Sequence, residues 1–191
     1  SGGVMDRIVS QLLAELDGAN GEDGDGVFVV GATNRPDLLD EALLRPGRFD
    51  KMLYLGISDT NEKQMNIMKA LTRKFNLAPE LDLMSVAEKC PFNYTGADFY
   101  ALCSDSILRA MIRKTEDVDA LYKAYRESNP SANHNKSLKY WFDNVASEKD
   151  YRVVVEEADF MAALNDLIPS VSEEELAHYL KLRDNFESNK S

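Results

Sequence analysis

The sequence is short of cysteine, of basic charge and, past its midpoint, of glycine. Only Cys90 and Cys103 occur in 191 residues, too few for a disulfide framework and too widely spaced for a CxxC metal or redox pair. Both read as buried free thiols. The 22 Lys and Arg residues stand against 33 Asp and Glu, a formal net charge of −11, and no local basic patch offsets the balance. That balance argues against electrostatic docking on nucleic acid or anionic lipid. No apolar run approaches the roughly 20 residues of a membrane span, and the N-terminus lacks the charged-then-apolar layout of a signal peptide. A soluble intracellular chain is expected, so the sequons Asn93-Tyr94-Thr95 and Asn135-Lys136-Ser137 are not read as glycosylated. His134 and His178 stand alone in polar surroundings, with no carboxylate or cysteine constellation that would make a metal site.

Eight of the ten glycines precede residue 50 and none follows Gly96. Loops and strands are therefore expected in the first part and helices in the second. From Val4, the residues Ile8, Val9, Leu12, Leu13 and Leu16 recur at helical spacing up to Gly18. A solvated acidic loop, Asn20 to Gly26, leads to Val27-Phe28-Val29-Val30, which is apolar at every position. Such a segment reads as a strand buried on both faces of an α/β sheet. Met52-Leu53-Tyr54-Leu55 reads as a second strand, after a short helix near Leu38 to Leu44, in a parallel crossover. Two strands do not make a sheet buried on both faces, so further strands are expected from another chain or from upstream.

After Ile57 the pattern is helical. Met65, Ile67, Met68 and Leu71 share one helix, and Leu83, Val86 and Ala87 a shorter one. Thr95 with Asp98 three residues on opens a third helix as a near capping box, and Phe99, Leu102, Cys103, Ile107 and Met111 lie along one side of it. Residues 115–150 are polar and punctuated by Pro130, the pattern of an inserted, partly disordered or loosely helical segment. Its Trp141-Phe142 pair either anchors that segment or marks a partner site. Val153-Val154-Val155 reads as a short strand, Ala158 to Leu167 as a helix, and Ser172 to Phe186 as the last helix.

The most informative stretch runs Gly31-Ala32-Thr33-Asn34-Arg35-Pro36-Asp37, then through Leu44 to Arg45-Pro46-Gly47-Arg48-Phe49-Asp50. An apolar strand delivers Asn34 at its C-terminal edge, where open α/β sheets place ligands. Pro46-Gly47 projects Arg45 and Arg48 from a turn. An asparagine there can hold a water or a phosphate oxygen, and paired guanidiniums can stabilise charge on a phosphoryl group. A capped strand end with two surface salt bridges reads equally well.

This run resembles the second region of homology of AAA+ ATPases, and the likeness continues on both sides. Gly2-Gly3 through Arg7 resembles the end of the second pore loop, and Leu12 through Gly18 the following helix with its Asp-Gly turn. Tyr94-Thr95-Gly96-Ala97-Asp98 is similar to the sensor-2 region of the helical lid, and Ser170-Val171-Ser172 with the last helix to the lid's end. Only 115–150 is left out. The resemblance implies an α/β fold: the C-terminal part of an AAA+ P-loop parallel-sheet subdomain over 1–57, then a mainly helical lid subdomain over 58–191 with an insertion at 115–150.

It also implies roles. Asn34 would be the sensor-1 residue that positions the attacking water. Arg45 and Arg48 would be arginine fingers reaching ATP on a neighbouring subunit, with Arg45 alternatively an interface salt bridge. Asp17 would relay nucleotide state at the subunit interface, and Gly96 and Ala97 would let the lid backbone approach the adenine. Leu71 stands where the family often places a polar ring or amide, so contact there would be apolar, and Ala97 replaces a sensor-2 arginine, as in one branch of the family.

No G-x-x-x-x-G-K-[ST] occurs in the sequence, nor an apolar strand ending in Asp-Glu, so nothing here cradles a triphosphate or magnesium. The expectation is the C-terminal portion of an AAA+ module, without ATP binding or turnover by itself; ATP and Mg2+ belong to the parent assembly. The run Val4 to Gly18, the run Cys90 to Tyr100 and the insertion resemble the second ATPase domain of the fungal peroxisome-biogenesis branch. That implies extraction of protein substrates in import-receptor recycling, a heterohexamer with a second peroxisome-biogenesis ATPase, and a tail-anchored peroxisomal membrane receptor. The location implied is the cytoplasm and the cytosolic face of the peroxisomal membrane. The alternatives are a non-catalytic helical interaction module, or another AAA+ segregase or membrane-fusion ATPase.

Overall fold

A computed structural model describes residues 2–21, 26–130 and 136–188. It divides into two compact units, residues 1–55 with 179–191, and residues 56–178. In the first unit α1 (Gly2–Ala19) is the long element. The short helix expected near Leu38 to Leu44 is instead a pair of 3-10 turns, Pro36–Leu38 and Glu41–Leu44. Asp40 separates them, because its carboxylate caps the second turn by accepting from the Ala42 amide at 2.8 Å, and Pro46-Gly47 prevents continuation.

The expected sheet is not found: among the described residues no β-strand forms. Val27–Val30 and Leu53–Leu55 lie outside any strand and are exposed, Phe28 at 89% and Leu55 at 85%. The reason is physical: an extended backbone needs neighbours on its N–H and C=O edges before it counts as sheet.

The second unit is helical. It holds α2 (Asn61–Leu71), α3 (Leu83–Ala87), α4 (Gly96–Ser128), α5 (Leu138–Asn144), α6 (Glu148–Tyr151), α7 (Glu157–Asp166) and the start of α8 (Glu173–Ser188). Its core joins Met68 of α2, Val86 and Ala87 of α3, Phe99, Leu102 and Cys103 of α4, and Phe160 and Ala163 of α7. The buried residues of α4 recur at three and four positions, which turns one stripe of the helix inward; Met111 falls outside it, exposed.

Two arginines of α4, one turn apart, tie it to α7. Arg109 bridges Asp105 and Asp166. Arg113 donates to the buried Asp159 at 2.7 Å and to the Val154 carbonyl at 2.9 Å. Val153–Val155, expected as a strand, supplies a single parallel bridge between Leu77 and Val155. Its two hydrogen bonds, Ala78 N to Val155 O and Val155 N to Asn76 O, close it, and the start of α7 two residues later leaves no length for a ladder.

The segment 115–150 is more ordered than expected. α4 runs unbroken for 33 residues to Ser128, because 112–128 contains neither glycine nor proline and is otherwise compatible with helix; it also buries Val118. Trp141 is buried, edge-on to Tyr122 of α4 at 6.2 Å, and its neighbour Phe142 meets Tyr151 at 5.8 Å. The anchoring alternative thus has a specific contact. His134 and the second sequon asparagine, Asn135, lie outside the described residues. Asn93 of the first sequon is buried and donates to the Val171 carbonyl.

Both cysteines are buried, and burial pushes the thiols up, to about 11 for Cys90 and about 12 for Cys103. Almost no thiolate is present at pH 8, and the thiolate is the reacting species. Disulfide-exchange labelling at pH 8 is expected to be slow in the folded chain and to reach both cysteines in denaturant; native labelling at the rate of a free thiol would contradict this packing.

Candidate functional site

The residues singled out by sequence fall into two groups, Asp17, Asn34, Arg45 and Arg48 in the first unit and Leu71, Gly96 and Ala97 in the second. The first group centres on a tight turn. Phe49 N donates to Leu43 O at 2.9 Å and Arg48 N to Arg45 O at 3.1 Å. Gly47 adopts φ +83, a left-handed conformation that few residues other than glycine accept. The Gly47 amide donates to the Asp50 carboxylate, and the Asn20 side chain donates to the Gly47 carbonyl. Gly31 gives room for Phe49, since a Cβ there would lie 3.2 Å from the ring.

Arg48 and Asp17 meet across this turn. The guanidinium donates from Nε and Nη2 to the two carboxylate oxygens, at 2.9 and 2.8 Å, and from Nη1 to the Ala42 carbonyl at 2.7 Å. This is the fork-to-fork arrangement that Arg forms with a carboxylate and Lys does not. Hydrogen bonding to Arg48, with its charge, holds the Asp17 carboxyl below the usual carboxylate range, and the same bonds raise Arg48.

Arg45 differs. It is exposed, and its side chain has no hydrogen bond or ion pair among the described residues. Asn34 is likewise exposed without a side-chain hydrogen bond among them. The bend around Asn34 is set by its neighbours: Thr33 Oγ1 accepts from the Arg35 amide, and Arg35 pairs with Asp37.

In the second unit Gly96 and Ala97 begin α4, both exposed, and a Cβ on Gly96 would meet nothing within 4 Å. Behind them stands Asp98, 4% exposed. Its Oδ2 accepts from the Thr95 amide and the Thr95 and Ser170 hydroxyls, and its Oδ1 from the Ser170 amide. One carboxylate thus caps α4 and pins the loop before α8. Leu71 ends α2, half-buried against the core.

Sequence reasoning named Asp17 and Arg48 separately and missed that they bind each other, and it missed the parts played by Ala42, Asn20 and Ser170. The separation of 31 positions from Asp17 to Arg48 hides the pair from any local pattern. The residues present suit a nucleotide only in part: they offer an exposed guanidinium, an open glycine start to α4 and an apolar Leu71. They offer no triphosphate loop, and among the described residues no group of His, Cys, Asp or Glu is placed to hold a metal. No helix among the described residues is long and apolar enough to cross a membrane.

Residues 1–57 match the model for the ATPase family associated with various cellular activities. The chain is 68% identical over 188 residues to the peroxisomal ATPase PEX6 of Kluyveromyces lactis, covering 98% of the chain and 18% of that protein. It is 65% identical over its whole length to the protein of that name from Komagataella phaffii, covering 16% of it. The Yarrowia lipolytica protein is 62% identical over the whole chain, which covers 19% of it. The chain therefore spans less than a fifth of the length of these relatives.

Two outcomes follow from the geometry. Because pairing lowers the folded-state pKa of Asp17, its stabilising effect is present above the unfolded carboxylate value of about 4 and is lost as pH falls through the lowered value. NMR titration of the Asp17 carboxyl carbon should give a midpoint below that value, and Arg48→Ala should return it to about 4; a wild-type midpoint already there would mean the pair does not form. Asp98→Ala removes the charged acceptor shared by the amides and hydroxyls of Thr95 and Ser170 and should destabilise the chain by ~1–3 kcal/mol in denaturant unfolding, whereas an unchanged midpoint would remove Asp98 from its bracing role.

Proposed function

This chain belongs to the AAA ATPase family, and from that premise we propose that it forms part of a peroxisomal AAA+ ATPase that uses ATP hydrolysis to extract or unfold protein substrates in import-receptor recycling. The observation that carries the reading is the braced turn 43–50, which sets an exposed, uncompensated Arg45 guanidinium beside a locked Arg48. A charged group with no partner of its own suits a phosphate supplied from outside the chain.

In this reading the turn supplies cationic charge to ATP held by the neighbouring subunit of a heterohexamer, whose other component is a second peroxisome-biogenesis ATPase. Asn34, at the end of an apolar segment, positions the attacking water. The 1–57 region is the end of the α/β subdomain and 58–191 the lid, with Gly96, Ala97 and Leu71 facing the adenine. Asp17 joins the turn to α1 and so to the subunit boundary. ATP with Mg2+ supplies the phosphoryl group and the charge that must be neutralised, and a phosphate cradle comes from outside these residues. A tail-anchored receptor brings the assembly to the cytosolic face of the peroxisomal membrane. The high identity to relatives named peroxisomal ATPases supports the peroxisomal assignment, and favours it over a purely structural helical module.

The test replaces both arginines. Arg45→Ala with Arg48→Ala in the full-length protein and its assembly should leave ATP binding within about twofold and lower hydrolysis by ~10³–10⁵, the range of arginine fingers in other phosphoryl-transfer enzymes. Hydrolysis at the wild-type rate would remove the finger role from this chain.

A further inference from the structure

We propose that the two arginines of the turn have different tasks: Arg45 reaches the phosphate, and Arg48 is a positioning residue that holds Arg45's backbone in place through Asp17. The division rests on the finger reading above. All three guanidinium nitrogens of Arg48 are committed, two to Asp17 and one to the Ala42 carbonyl, and its side chain is only 19% exposed. To meet a phosphate it would have to give up a charge-assisted bidentate pair and strand a backbone acceptor. Arg45 surrenders nothing, being exposed with no hydrogen bond or ion pair among the described residues.

The connectivity shows how Arg48 acts at a distance. Its guanidinium fixes the carbonyl of Ala42, and its amide fixes the carbonyl of Arg45. One residue therefore holds the segment 42–48 at two points, and Asp17 on α1 holds that residue. Pro46 and the left-handed Gly47 shape the three-residue step between the arginines, while Asn20 braces Gly47 from the end of α1. A long flexible side chain delivers charge accurately only from a fixed backbone, since misplacement by about 1 Å at a reacting group lowers rates by ~10². The chain of restraint runs from α1 through Asp17 and Arg48 to Arg45.

The test is a set of variants in the full-length assembly, followed by ATP hydrolysis, ATP affinity and melting temperature. Arg45→Ala should lower kcat by ~10³ with ATP affinity and melting temperature unchanged. Arg48→Ala and Asp17→Ala should each lower kcat by ~10², and the double variant should lose no more than Arg48→Ala alone, the non-additivity of one shared interaction. Exchanging the charges, Arg48→Asp with Asp17→Arg, restores the pair but not the bond to the Ala42 carbonyl, since a carboxylate cannot donate; it should still raise hydrolysis about tenfold or more above Arg48→Ala, which is impossible if Arg48 itself must touch phosphate. Hydrolysis at or above the wild-type rate in Asp17→Ala overturns the proposal, whether or not the exchanged variant folds. So does an exchanged variant with wild-type melting behaviour and no recovery, or an inactive Arg48→Ala beside a fully active Arg45→Ala. If neither arginine affects hydrolysis, the finger reading fails and this division with it.

Discussion

A carboxylate and a guanidinium, 31 positions apart, organise the first unit of this chain. Asp17 closes α1, and Arg48 closes the turn that follows two 3-10 segments. Just past α1, the Asn20 side chain adds a second link to the turn by donating to the Gly47 carbonyl. The geometry explains both why Arg48 is withdrawn and why Arg45 is not: the bidentate fork to Asp17 together with the bond to the Ala42 carbonyl engages every guanidinium nitrogen of Arg48, and the turn that satisfies Arg48 leaves Arg45 outside it.

A second carboxylate organises the helical unit in the same manner. Asp98 satisfies its own helix start and the Ser170 loop together, gathering segments 72 positions apart. Beneath it the helices pack on an apolar stripe with two arginine ties, Arg109 and Arg113, along α4. Gly96 and Ala97 are thus small residues on a braced helix start, open in front and held behind. In each unit the groups proposed to face nucleotide are themselves unrestrained or featureless, and the restraint comes from an acidic residue behind them.

The helices and caps were legible because their signals are local. Thr95 with Asp98 announced α4, and of the stripe expected along it Phe99, Leu102 and Cys103 are buried, while Met111 is exposed. The length of α4 was not, since Glu116, Asp117 and Asp119 suggested a polar insertion, whereas helix formation depends as much on the absence of glycine and proline as on an apolar face. The two apolar segments at Val27 and Met52 were read as strands from composition, yet a strand is a relation between segments, and none forms among the described residues. Asn34, Arg45 and Arg48 stood out because their motif is distinctive. Their inequality did not, because it depends on Ala42 and Asp17, contacts that no spacing rule contains.

Hydrolysis by two variant assemblies tests most directly whether these residues serve a neighbour. In the proposed heterohexamer, one assembly would carry this subunit with an inactivated nucleotide site and an intact turn, the other this subunit with Arg45→Ala and Arg48→Ala and an intact nucleotide site. The first should still hydrolyse ATP at the sites of the second ATPase, and the second should lose hydrolysis there. Equal hydrolysis at the second ATPase's sites in both assemblies, each formed normally, would show that the turn does not act across the subunit boundary.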